Sequence, residues 1–249
     1  MKSIQGTTAR LRVAALGLGT ALLLGACAAD APTSSAFAPA SGDAAMAAMG
    51  GMGGLEEGAL YVAELHPLNA WVQQRLDPDP RTPRGVTEGK AYFRVKDGML
   101  TAVVDVQGAE PNDSPLPEGL HPQHIHAASQ CPPMSADVNG DGIVDVIEGL
   151  PFYGAILVPL DGDISNTTSE IPTFPIATGD KGTYHYQAST SLATLEAAIG
   201  APLALPTRHV VVHGVDINTP LPPSVQSLPG LPAQITLPVA CGEIRKVRG

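Results

Sequence analysis

Hydrophobic and polar residues alternate along several short stretches of this 249-residue chain. The clearest are Lys90 to Lys96 (KAYFRVK) and Leu100 to Val106 (LTAVVDV). A period of two marks a strand with one face in a core and one in water. Asp97-Gly98 lies between them, and Asp-Gly favours a tight two-residue hairpin. Ala59 to Leu65 alternates more loosely, and further strands are predicted over Glu118 to His126, Gly182 to Gln187 and Arg208 to Val215. Ser191 to Ile199 fits one short helix. Elsewhere Pro and Gly interrupt the chain repeatedly. Many short strands, little helix and abundant turns predict one all-β sandwich or barrel of about 190 residues, residues 58–249. No internal repeat stands out.

The first apolar run has a different character. Val13 to Leu24 is continuously apolar or small and follows Lys2, Arg10 and Arg12. A basic start and a short apolar stretch read as an export signal, too short to cross a membrane as a stable helix. It ends Leu24-Gly25-Ala26-Cys27, which resembles the bacterial lipobox. On that reading residues 1–26 are a lipoprotein signal peptide and Cys27 carries the lipid anchor; ordinary cleavage with a free Cys27 is the alternative. Ala28, in place of Asp, favours the outer membrane. Residues 27–57 are rich in Ala, Gly, Ser, Pro and Met and read as a flexible tether. Met46, Met49, Met52 and the distant Met134 leave open a copper relay, since thioethers suit Cu(I), against a plain low-complexity linker.

The formal charge is −10, and loss of the signal's three basic and no acidic residues takes it to −13. So acidic a chain lacks the basic face that phosphate binding requires, which excludes nucleic acid as a partner. It suits an exported protein that binds divalent cations. With Cys27 assigned to the anchor, Cys131 and Cys241 remain, an even pair expected to form a disulfide in an oxidising compartment.

Two metal-binding patterns stand back to back in residues 118–148. His124 and His126 are two apart, so a strand presents both on one face. His213 closes a second strand-like run, RHVVVHG, with His209 four residues earlier on the same face. Farther along the first segment, Asp137, Asn139, Asp141, Asp145 and Glu148 occupy positions 1, 3, 5, 9 and 12 of a twelve-residue loop, with Gly142 at position 6 and the Ile143 carbonyl at position 7. This is the spacing of an EF-hand calcium loop. Pro132 and Pro133 before it and Pro151 after it argue against flanking amphipathic helices, and so against a paired calcium sensor. A lone structural loop of dockerin type, residues 136–149, is expected instead.

The ordered series Glu118-Gly-Leu-His121-Pro-Gln-His124-Ile-His126, then Cys131, later Val-Val-His213 and finally Ala240-Cys241-Gly242 resembles the copper,zinc superoxide dismutase family, particularly its bacterial periplasmic branch. The resemblance covers about residues 59–246 and is carried by motif order and spacing. Leu192 to Val215 also looks like the family's short helix leading into its copper strand. The resemblance implies an eight-stranded Greek-key β-barrel. It implies copper ligation by His124, His126 and His213, the Cys131–Cys241 disulfide, and a structural role for His121. Imidazole suits copper and zinc alike.

The departures are chemical. No histidine lies between Cys131 and Thr183, where the family's bridging and zinc-binding histidines belong; the calcium-type loop stands there. Pro238 replaces the arginine that guides superoxide in the family. Asp216 is one residue closer to the copper-strand histidine than the family's aspartate, so that role does not carry over. His185 is a possible fourth ligand or an exposed strand residue. A chain of charge −13 without that arginine repels superoxide. The sequence therefore predicts a metal-binding lipoprotein on a dismutase-like barrel. A copper-only dismutase-like enzyme and a structural envelope protein are the alternatives.

Overall fold

A computed structural model describes residues 54–75, 85–110 and 120–249. The signal segment, Cys27, Met46, Met49, Met52 and most of the tether lie outside these residues.

The alternating segments form strands. β1 (Leu60–Pro67), β2 (Glu88–Lys96) and β3 (Met99–Gln107) make an antiparallel meander. Lys96 pairs with Met99 across Asp97 and Gly98, whose φ angles of 52° and 71° match the mirror-image turn expected of Asp-Gly. β4 (Gln123–His126), β5 (Ile156–Pro159), β6 (Tyr184–Ser191), β7 (His209–His213) and β8 (Pro238–Arg248) follow. All belong to one antiparallel sheet of order β5-β4-β7-β8-β1-β2-β3-β6, which curls around the larger of two apolar clusters.

The strand expected over Glu118 to His126 is shorter than the sequence suggests. Regular pairing begins at Gln123, and Leu120 makes only an isolated bridge to Ile176. Pro122 has no N–H for a ladder, and the His121 amide instead donates to the Pro175 carbonyl. The helix expected near Ser191 spans Leu192–Ile199, with the Ser191 hydroxyl accepting from Thr194 N.

Three further helices flank the sheet: α1 (Ala70–Arg75), α2 (Val146–Tyr153) and α4 (Ala233–Thr236), the Leu192–Ile199 helix being α3. α2 begins within the acidic loop, where Pro151 argued against a flanking amphipathic helix. Asp145 caps it by accepting from Ile147 N and Glu148 N, while Glu148 returns to the Asp145 amide. This reciprocal cap supports a helix that contains Pro151. Gly149 makes room for Tyr153: a Cβ there would stand 2.3 Å from the tyrosine ring. The Tyr153 hydroxyl then donates to the Val146 carbonyl at 2.6 Å.

Asn69 joins distant parts of the chain. Its side-chain oxygen accepts from Val144 N at 2.9 Å, and its amide nitrogen donates to the carbonyls of Val144 (2.9 Å) and Pro238 (3.0 Å). Cys131 and Cys241, 5.8 Å apart at Cα, form the expected disulfide, tying the segment after β4 to β8.

Candidate metal centre

β4 and β7 are neighbours, with His126 opposite His209 and His124 opposite Val211. Alternation therefore sends Ile125, Val210 and Val212 into the main core. It sends His124, His126, His209 and His213 to the other face, where Val211 packs with Val146, Tyr153 and Cys241. That face is covered, by α2 and by the chain leading into α4, and all four histidines are buried.

His124, His126 and His213 offer ligand nitrogens that lie within 4.8 Å of one another, and among the described residues this is the group of side chains able to hold a metal ion. The ring centroids are 5.5 Å apart for His124 with His126 and with His213, and 5.9 Å for His126 with His213. Hydrogen bonds fix which nitrogen His126 and His213 present. His126 Nδ1 faces the Gly154 carbonyl at 2.9 Å, and His213 Nδ1 faces the Thr236 carbonyl at 2.8 Å. A carbonyl only accepts, so both rings carry the proton on Nδ1 and present a lone pair at Nε2. His124 is reversed, with Nε2 3.3 Å from the Ser169 hydroxyl. The three remaining atoms, His124 Nδ1, His126 Nε2 and His213 Nε2, are buried and have no protein partner. Buried polar atoms left without partners are rare, and three such imidazole nitrogens in one group of possible ligands fit a metal ion.

Gly154 contributes through its backbone. Its φ of 70° is open to glycine, and in that conformation its carbonyl meets His126. Carbonyl partners of this kind orient metal-binding imidazoles. Neither Gly154 nor Thr236 was legible as a site residue, because their side chains play no part in these contacts.

Burial holds the rings neutral. It is the main cause lowering His124 well below its ordinary value, with His126 and His213 adding repulsion. Burial, then His213, pushes His126 down to about 3, and burial pushes His213 down to about 4. A neutral imidazole is the form that binds a metal.

Three of the other four histidines separate by environment. His121 is wedged between the Glu110 carbonyl (Nε2, 2.9 Å) and the His213 carbonyl (Nδ1, 3.2 Å), so it braces the strand behind a candidate ligand. His209 stacks on His126 at 5.8 Å and bonds Ala128 O through Nδ1, leaving Nε2 without a partner; it lies outside the three-nitrogen group. His185 pairs with Asp105 at 2.6 Å on an exposed face, lining a separate groove, and supplies no fourth ligand. Pro238 stands opposite His213 at the start of β8 and is buried.

The three nitrogens open into a cavity of about 360 Å³. Leu150, Ile156, Ile171, Phe174, Leu228 and Leu231 form much of its wall, and no Asp, Glu, Lys or Arg lines it.

The acidic loop is built differently. Asp137 accepts from the amides of Gly140, Asp141 and Gly142, Asn139 from Asp141, and Asp141 from Ile143. Glu148 reaches back to the amides of Val138 and Asn139. The loop is tied to the covering chain, where Ser224 donates to Asp141 at 2.6 Å and Gln226 N to Asp145 at 2.7 Å. Its acidic side chains do not form a second group of converging ligand atoms. Ile143 is fully buried among apolar neighbours.

No protein-family model matches this chain, and no curated protein does.

Proposed function

We propose that this chain is an exported metal-binding lipoprotein that holds copper or zinc on a barrel of the copper,zinc superoxide dismutase kind. The observation that carries the reading is the set of three buried nitrogens left without protein partners, His124 Nδ1, His126 Nε2 and His213 Nε2. Three imidazoles with an open fourth position suit either metal. Copper there would supply one-electron chemistry and zinc a Lewis acid. The chain's own part is to keep the rings neutral, aim them through Gly154, Thr236 and Ser169, and exclude bulk water.

The sheet joins the non-consecutive strands β3 with β6 and β4 with β7, an order that supports a Greek-key reading and with it this family kinship. Binding is preferred to dismutation because the cavity wall has no cation to draw in an anion. The lipobox-like Cys27 supports a place in the bacterial cell envelope, anchored in the membrane. Calcium is the second metal of this reading, held by Asp137, Asn139, Asp141, the Ile143 carbonyl, Asp145 and Glu148. Helix α2 begins just after position 9 of the loop, with Asp145 as its cap, so the loop's ligand spacing is continuous with the wall of the histidine site.

Titration of the purified metal-free protein with Cu(II) and Zn(II), a spin-resonance spectrum of the copper form and a dismutation assay test the proposal. Stoichiometric binding through nitrogen ligands without turnover is expected. Copper-dependent turnover lost in His124→Ala selects the enzyme instead, and failure to bind either metal leaves the structural envelope reading.

A further inference from the structure

The cavity above the three histidines is larger and more apolar than a bare ion needs. Its 360 Å³ falls within the range of sites for small organic molecules, which are mainly apolar with a few converging polar groups. The converging polar groups here are the three ring nitrogens. Two large apolar side chains of the wall are also exposed to solvent, Leu150 by 43 % and Ile156 by 37 %. Of the wall's hydroxyls, that of Ser169 contacts His124 and that of Tyr153 donates to the Val146 carbonyl. The wall therefore offers no charged group for an ionic ligand, and much surface for an uncharged one.

We infer that the site receives a small phenol: an apolar aromatic body along the wall and one hydroxyl facing the ion held by the histidines. This rests on the metal reading above. A phenol enters uncharged, so it crosses the wall without the desolvation cost a charged group meets there. Its single oxygen suits a site with one open position, and its ring suits walls of Leu, Ile and Phe174. The proposed event is binding alone; the proton released when the hydroxyl meets the ion goes to solvent.

The test uses the full chain loaded with Co(II), whose visible bands report ligand number. Phenol, 4-ethylphenol and 4-butylphenol are titrated in, with 4-hydroxybenzenesulfonate as a charged counterpart. The bands are expected to change with each neutral phenol, and affinity to rise about fourfold per added CH₂ that is buried. The sulfonate is expected to bind at least tenfold more weakly than 4-ethylphenol. Leu150→Asp, at an exposed position of the wall, should erase most of the chain-length gain. Leu231→Ala should reduce that gain in parallel. Metal bands that depend on His126 but do not respond to any phenol, or equal affinity for phenol and 4-butylphenol, overturn this inference and leave metal binding standing. Absence of Co(II) bands in the unmodified chain overturns both. Binding of 4-butylphenol equally tight without metal overturns the role given to the hydroxyl.

Discussion

The histidine site and the acidic loop share one segment of chain and solve opposite problems. At the histidine site, three nitrogens are aimed at one another and denied every protein donor. In the loop, nearly every ligand-type oxygen is occupied by an amide of the loop itself or of the adjacent chain. The first arrangement is costly without an ion, because buried polar atoms lack partners. The second is stable as it stands, since charged oxygens accept several amide hydrogen bonds. An ion would complete the histidine site; in the loop it would compete with contacts already made.

Breaking the disulfide loosens both regions together and should have the largest effect. Cys131→Ser with Cys241→Ser is expected to lower stability by about 2–5 kcal/mol, read from denaturant midpoints. Removing one ring separates the regions. His126→Ala should weaken zinc affinity more than about 100-fold by calorimetry, beyond the loss typical of a ligand's supporting contact. His185→Ala, which removes only an exposed pair with Asp105, should leave that affinity unchanged.

Acid sharpens the contrast. The unfolded chain protonates its histidines near their ordinary value of about 6.5. The folded chain resists until about pH 4 at His213 and about pH 3 at His126, because burial disfavours the cation. Stability of the metal-free protein should therefore be full above about pH 6.5 and fall as pH drops through that window. The slope reaches about 1.4 kcal/mol per pH unit for each histidine and levels off once the folded state is protonated. A flat midpoint between pH 6.5 and 4 contradicts it. The smallest effect is expected at the loop. Calcium at about ten times its dissociation constant adds about 1.4 kcal/mol, a rise of a few degrees in melting temperature, and Glu148→Gln should abolish that rise.

Much of this was legible from residues alone. KAYFRVK and LTAVVDV announced β2 and β3, and Asp97-Gly98 their turn, because one face of each strand meets water. The spacing of His124 and His126 put both on one face, and the motif order brought in His213. β8 was hidden because only its first half is buried; EIRKVR at its end is largely exposed and carries no alternation toward the core. α2 was hidden by Gly149 and Pro151, both poor helix formers, and depends on the Asp145–Glu148 cap. The cover over the histidines was not legible either. Residues 219–236 have no period, and they are held by contacts such as Gln226 to Asp145 that link positions 81 apart.

Asn69 makes the two regions answer to each other. One carboxamide grips the end of the acidic loop by both its amide and its carbonyl, and the same group holds Pro238, the residue facing His213. An isosteric aspartate would lose both donor bonds at once and set its charge against two carbonyl oxygens. One side chain thus ties the end of the loop to the residue opposite His213, whatever ion either comes to hold.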